Sequence, residues 1–129
     1  MNYPSDAFVV QELNHIALYV RDLDAAERFY GEILRLPRLS RPAFDFPGAW
    51  FALGKQELHL IVDTQNRDRN SVHFALRVDD AAAAREILIG RGVVDISAAN
   101  PRPDGAVQVF LRDPDGYLIE IMSDGRAVA

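Results

Sequence analysis

Ile16, Leu18 and Val20 alternate with His15, Ala17 and Tyr19, the period-two pattern of a strand with one apolar face. The pattern returns 58 residues later: Val72-His73-Phe74-Ala75-Leu76-Arg77-Val78-Asp79-Asp80 lies over Asn14-His15-Ile16-Ala17-Leu18-Tyr19-Val20-Arg21-Asp22 with five identities in nine places. Each copy leads, through an aspartate suited to cap a helix, into an alanine-rich amphipathic stretch. The spacing of Leu23, Ala26, Tyr30, Ile33 and Leu34 predicts a first helix over about Leu23 to Leu36, stopped by Pro37. A second is expected over about Asp80 to Ile89, with Ala84, Ile87 and Leu88 inward and Gly90 and Gly92 at its exit. Three strands should follow each helix. In the first half they are Arg38 to Phe44, Ala49 to Leu53 and Gln56 to Val62, the last two joined by a tight turn at Gly54-Lys55. In the second half they are Val93 to Ala98, Ala106 to Arg112 and Tyr117 to Met122, with a turn at Asp113-Pro114-Asp115-Gly116. The polar stretch Thr64 to Asn70 joins the halves. The fold class is therefore α+β, two tandem βαβββ modules that pair to form a curved-sheet cleft. They make one domain over 1–129, with modules at about 13–63 and 71–123.

Composition narrows the function classes. The chain of 129 residues is 49% hydrophobic and carries a formal charge of −5, without a basic cluster interleaved with aromatics, so nucleic acid is not expected as a partner. It has no cysteine, which excludes disulfides, thiolate nucleophiles and Cys-ligated metals and suits a reducing compartment. Met1 to Gln11 lacks the basic start and apolar run of a signal peptide, and no stretch is long enough to span a bilayer. A cytoplasmic protein without a membrane partner is expected.

The chemistry lies in the histidines. His15 and His73 hold equivalent places in the opening strands, and His59, in Glu57-Leu58-His59-Leu60-Ile61, has Glu120 as its counterpart in Leu118-Ile119-Glu120-Ile121-Met122. A histidine in a half-buried strand is, by itself, more often a hydrogen-bonded structural residue than a ligand. Here all three histidines occupy symmetry-related positions, and the fourth is a carboxylate between isoleucines that is costly to bury unless paired or metal-bound. Three imidazoles and one carboxylate are the donors expected for a borderline divalent ion such as Zn, Ni, Co, Fe or Mn.

The repeat, the phrase Leu13-Asn14-His15-Ile16-Ala17-Leu18-Tyr19-Val20-Arg21-Asp22-Leu23 and the ending Arg112-Asp113-Pro114-Asp115-Gly116-Tyr117-Leu118-Ile119-Glu120-Ile121 resemble the glyoxalase, bleomycin resistance and dioxygenase superfamily, also called vicinal oxygen chelate. The resemblance covers about Leu13 to Met122 and places metal ligands at His15, His59, His73 and Glu120. It implies a homodimer in which one site takes ligands from both subunits. It also implies a small-molecule substrate chelated through two neighbouring oxygens, with Glu120 as the base in the glyoxalase I pattern and the metal stabilising an enediolate.

Bacterial glyoxalase I enzymes typically carry Glu at the place of His59, and Arg and Asn where this chain has Tyr19 and Asp63. These departures count against glutathione as the co-substrate. Tyr19, Trp50 and Arg77 are candidate substrate contacts, Arg77 as a clamp for a carboxylate or phosphonate unless a surface ion pair engages it. Phe44, Phe46, Trp50 and Phe51 suit an aromatic cleft wall, with at least half of them expected in the core. Arg102 and Pro103 are expected in a solvated loop rather than a flap. Two other enzyme classes stay open: a fosfomycin-type thiol transferase, and a ring-cleaving dioxygenase using His15, His73 and Glu120. A non-catalytic drug- or metabolite-binding protein is the reading outside enzymes, and the intact ligand set counts against it.

Overall fold

Ile16, Leu18 and Val20 turn their side chains to one face of the first strand, and the chain builds a helix-backed sheet on that face. The structure, a computed structural model, describes residues 11–65 and 73–124. In the first half, β1 (His15–Val20) leads through Asp22 into α1 (Leu23–Glu27), then β2 (Arg38–Leu39), β3 (Gly48–Leu53) and β4 (Gln56–Val62). In the second, β5 (His73–Arg77) leads through Asp80 into α2 (Ala81–Gly90), then β6 (Asn100–Pro101), β7 (Val107–Arg112) and β8 (Leu118–Ser123). Two four-stranded mixed sheets result, ordered β1-β4-β3-β2 and β5-β8-β7-β6. The opening strand of each runs parallel to the last, and the others pair antiparallel. This is the predicted pair of βαβββ modules, and neither sheet closes into a barrel.

The caps form as expected. Asp22 Oδ1 accepts from Ala25 N at 3.1 Å, and Asp80 Oδ1 from Ala83 N at 3.0 Å. Val20, Leu58 and Leu60 of one sheet and Val109, Leu111 and Ile119 of the other are almost fully buried in the core cluster.

Three elements differ from the sequence expectation. The first helix stays α-helical only to Glu27, continues as a π-helix over Arg28–Ile33, and ends at Arg35, whose φ is 58°. The wider turn lets the adjacent side chains Phe29 and Tyr30 both enter the core. The strand expected over Arg38 to Phe44 shortens to two residues, since Pro42 has no N–H for a ladder and its carbonyl accepts from Phe44 N instead. The strand expected over Val93 to Ala98 is reduced to a bridge between Ile96 and Leu111, and β6 pairs with β7 in its place. There the Ser97 hydroxyl accepts from Phe110 N at 2.9 Å, replacing a regular ladder bond. The opening residues 1–10 and positions 66–70 of the expected joint lie outside the described residues.

The Asp113-to-Gly116 turn ties the halves together. Asp113 Oδ1 accepts from the backbone of Asp115 and Tyr117, and Oδ2 accepts from the Tyr30 hydroxyl at 2.7 Å. Asp115 Oδ1 accepts from Arg21 N at 2.7 Å and Arg21 Nε at 3.1 Å, and the Tyr117 hydroxyl accepts from Tyr19 N at 3.0 Å. Burial holds Asp113 above the usual carboxylate range against these donors, and burial with Asp113 alongside pushes the Tyr30 hydroxyl well up. The turn thus fixes the start of β8 to the end of β1.

Candidate active site

His15, Ala17 and Tyr19 occupy the face of β1 that the helix does not cover, beside Glu57, His59 and Ile61 of β4. The register sets His15 opposite Glu57 and His59 opposite Ala17, so the two histidines are diagonal neighbours. Their rings stack with centroids 4.2 Å apart. Trp50, directly opposite His59 on β3, stacks on its other side at 3.9 Å with planes 4° apart. Asn14 Oδ1 lies 2.9 Å from His15 Nδ1, and Glu57 Oε1 lies 2.8 Å from His59 Nε2. Such outer partners fix ring orientation and leave the opposite nitrogen for other work.

The second sheet repeats this arrangement. Glu120 faces Ala75 across the β5–β8 pair, diagonal to His73, whose Nε2 lies 3.4 Å from Glu120 Oε1. Phe110, opposite Glu120 on β7, meets the His73 ring edge-on at 5.7 Å, in the place Trp50 holds beside His59. Gln108 Nε2 donates to the same Glu120 oxygen at 3.2 Å. Glu120 is only 6% exposed, and no Lys or Arg among the described residues pairs with it.

The structure therefore joins His15 to His59 and His73 to Glu120, on separate sheets. Among the described residues of one chain, no three metal-binding side chains converge. Of the candidate substrate contacts, Trp50 stands at the His15–His59 pair and Tyr19 is exposed farther along the same face. Arg77 is exposed and ion-paired to Asp124 at 3.4 Å, the surface pairing that sequence left open. Of the four aromatics, only Phe51 enters the core; Phe44 and Phe46 are exposed, which corrects the expected balance. Arg102 pairs with Asp104 in an exposed loop, as expected. An apolar groove of about 750 Å³ runs between the modules, lined by Ile16, Leu34, Leu53, Phe74, Leu76 and Ile87, and none of the four candidate ligands lines it.

A sequence profile described as the Glyoxalase/Bleomycin resistance protein/Dioxygenase superfamily matches residues 12–121. The chain belongs to this superfamily. A lactoylglutathione lyase of Neisseria meningitidis is 32% identical over 124 residues, 85% of this chain and 88% of that protein. A chloroplastic Arabidopsis thaliana protein, described as a probable lactoylglutathione lyase, is 28% identical over 86% of this chain, which spans about a third (35%) of its length. Among solved structures, a Bacillus anthracis protein assigned to the glyoxalase family superposes with a TM-score of 0.82 at 25% identity, covering 92% of this chain and 98% of its own. The superfamily is generally metal-dependent, acts on small molecules and is typically dimeric. No described helix is long and apolar enough to cross a membrane.

The donor set fits a divalent cation of the superfamily kind. Glu120 is a nearly buried carboxylate whose neighbours are a histidine and a neutral amide, an environment that calls for a positive charge. Gln108 and Phe110 are the candidate-site residues that sequence reasoning did not single out, and Glu57 was legible only as a neighbour of His59 on its strand. Two-residue alternation along β4 and β7 is the signal that finds them, since it sets Glu57 beside His59 and Gln108 and Phe110 on one face.

Proposed function

We propose that this protein is a metal-dependent, glyoxalase I-like lyase or isomerase that removes a carbon-bound proton from a small substrate chelated through two neighbouring oxygens. His15, His59, His73 and Glu120 hold the ion, which is Zn, Ni, Co, Fe or Mn. Because the two pairs stand on separate sheets, the quartet is completed in a homodimer, each subunit giving one pair to each site. The cysteine-free, acidic chain suits the cytoplasm.

The observation that carries the reading is the environment of Glu120. Among the described residues its two polar side-chain contacts, from His73 Nε2 and Gln108 Nε2, fall on Oε1, which anchors one oxygen and leaves Oε2 to take a proton. His59, its symmetry counterpart, has Nε2 engaged by Glu57 and both ring faces covered, which suits a fixed ligand rather than a proton carrier. A bound divalent cation supplies the positive charge that makes a proton beside a carbonyl removable near neutral pH.

The test is exchange of the substrate's carbon-bound proton with solvent deuterium. Substrate is first found by a glyoxalase assay comparing glutathione, other thiols and no thiol, with metal content measured on the same protein. Glu120→Gln should keep part of the metal and lose exchange by about 100-fold or more. Exchange at the parental rate would exclude Glu120 as the base and favour thiol-transfer or ring-cleaving chemistry, neither of which needs that proton transfer.

A further inference from the structure

Beyond Trp50 the aromatic stack does not stop. Phe44 lies 6.1 Å from the Trp50 ring, Phe46 stacks on Phe44 at 5.0 Å, and the Arg41 guanidinium sits over both phenyl rings at 4.9 and 4.8 Å. From His15 through His59, Trp50 and Phe44 to Arg41, a continuous row of flat groups leads from the ligand pair to a cation.

Arg41 is placed by the backbone around it. Its Nη2 donates to the Phe46 carbonyl at 2.8 Å, closing the loop 40–47 on itself. Gly48, two residues before Trp50 on β3 and so on the same face, leaves room for the guanidinium. A Cβ there would collide first with the Leu60 carbonyl of β4 and would also come within 3.1 Å of Arg41 Nη2 and 3.2 Å of Nε. Among the described residues one of the five guanidinium donors is used, Nε is buried without an acceptor, and no carboxylate pairs with Arg41. A cation held in place with donors to spare is a site for an anion.

We propose that Arg41 is the anion-recognition residue of a substrate subsite on the sheet face beside His15, His59 and Trp50. The substrate class is then a planar, apolar-bodied acid: its body lies on Trp50 and Phe44, and its carboxylate or phosphonate reaches Arg41, away from the chelating oxygens. Arg41 takes the role that the Asp124 ion pair denies to Arg77. The inference deepens the proposed function and rests on it for the chelating end only, because the Arg41 subsite needs no metal.

Phenylacetate and its neutral counterpart phenylacetamide test this. Binding is read by calorimetry and by emission of Trp50, the one tryptophan in the chain, on the full-length protein as purified and after chelator treatment. The wild type should prefer the carboxylate about tenfold in both samples, the weight of one charge-assisted hydrogen bond. Arg41→Lys should keep part of that preference, and Arg41→Gln should bind the two probes alike with phenylacetamide affinity unchanged. If Arg41→Gln binds neither probe, Arg41→Lys decides: a retained preference supports the subsite and a lost one overturns it. No preference in the wild type, the full preference in Arg41→Gln, or a preference that vanishes with the metal would also overturn it. The last result would leave the metal reading standing without the Arg41 subsite.

Discussion

The Tyr30 hydroxyl donates to Asp113 Oδ2 at 2.7 Å across 83 residues of sequence, and both side chains are buried. Burial first, then the neighbouring Asp113, holds the Tyr30 hydroxyl well above its ordinary range. A proton held more tightly in the folded than in the unfolded chain stabilises fully below the unfolded tyrosine value, about 10, and that contribution is lost as pH rises beyond it. Asp113 has the same sign: its stabilising proton is fully present below the ordinary carboxylate range and is lost as pH rises through its raised value. Tyr30→Phe should cost about 1–2 kcal/mol at neutral pH, because the buried Asp113 loses a donor. It should also flatten the fall of stability above pH of about 10, as read by urea unfolding across the alkaline range. An unchanged alkaline slope would place the loss elsewhere. Nothing in the periodicity around Tyr30 pointed to this partner, which lies in the other half of the chain.

The helix that contains Tyr30 shows which elements local sequence determines. Its start was readable, because the cap needs only Asp22 and the backbone three residues on. Its interior was not, since the π-turn answers to the joint burial of Phe29 and Tyr30 in a core built by both halves. Its end places Arg35 at φ 58°, a left-handed conformation that a side chain opposes and glycine accepts. Arg35→Gly should therefore raise stability by about 0.5–1 kcal/mol, with part of the gain offset by the freer unfolded chain, and thermal unfolding measures the sum. Long strands such as β4 and β7 were legible because alternation with one buried face sets them apart. The edges were not: Val93 to Ala98 has strand-forming residues, yet Val94 is 93% exposed and Ser97 supplies a side-chain bond where a ladder would run. Edge strands are decided by what the neighbouring strand leaves unpaired, which their own residues do not record.

Across the whole molecule, the repeat made the four candidate ligands legible, because symmetry selected His15, His59, His73 and Glu120 without any distance being known. The pairing of those residues two by two depends on each module bringing its first and last strands side by side in parallel, so it emerges only with the fold. The turn carrying Asp113 and Asp115 fixes β8 to β1 within one chain, so each chain presents its two pairs as a unit. If sites are shared between subunits, a chain with His15→Ala and a chain with Glu120→Ala damage different halves of a site. In a mixed dimer, one site then collects both substitutions and the other collects neither. Unfolding the two variants together and refolding at equal concentration gives about half mixed dimers, each with one intact site of two, so about a quarter of wild-type metal content and exchange activity should return. Each variant refolded alone should stay near background, which separates recovery from residual function. Sites completed within one chain would give no recovery, since every chain in the mixture carries a lesion.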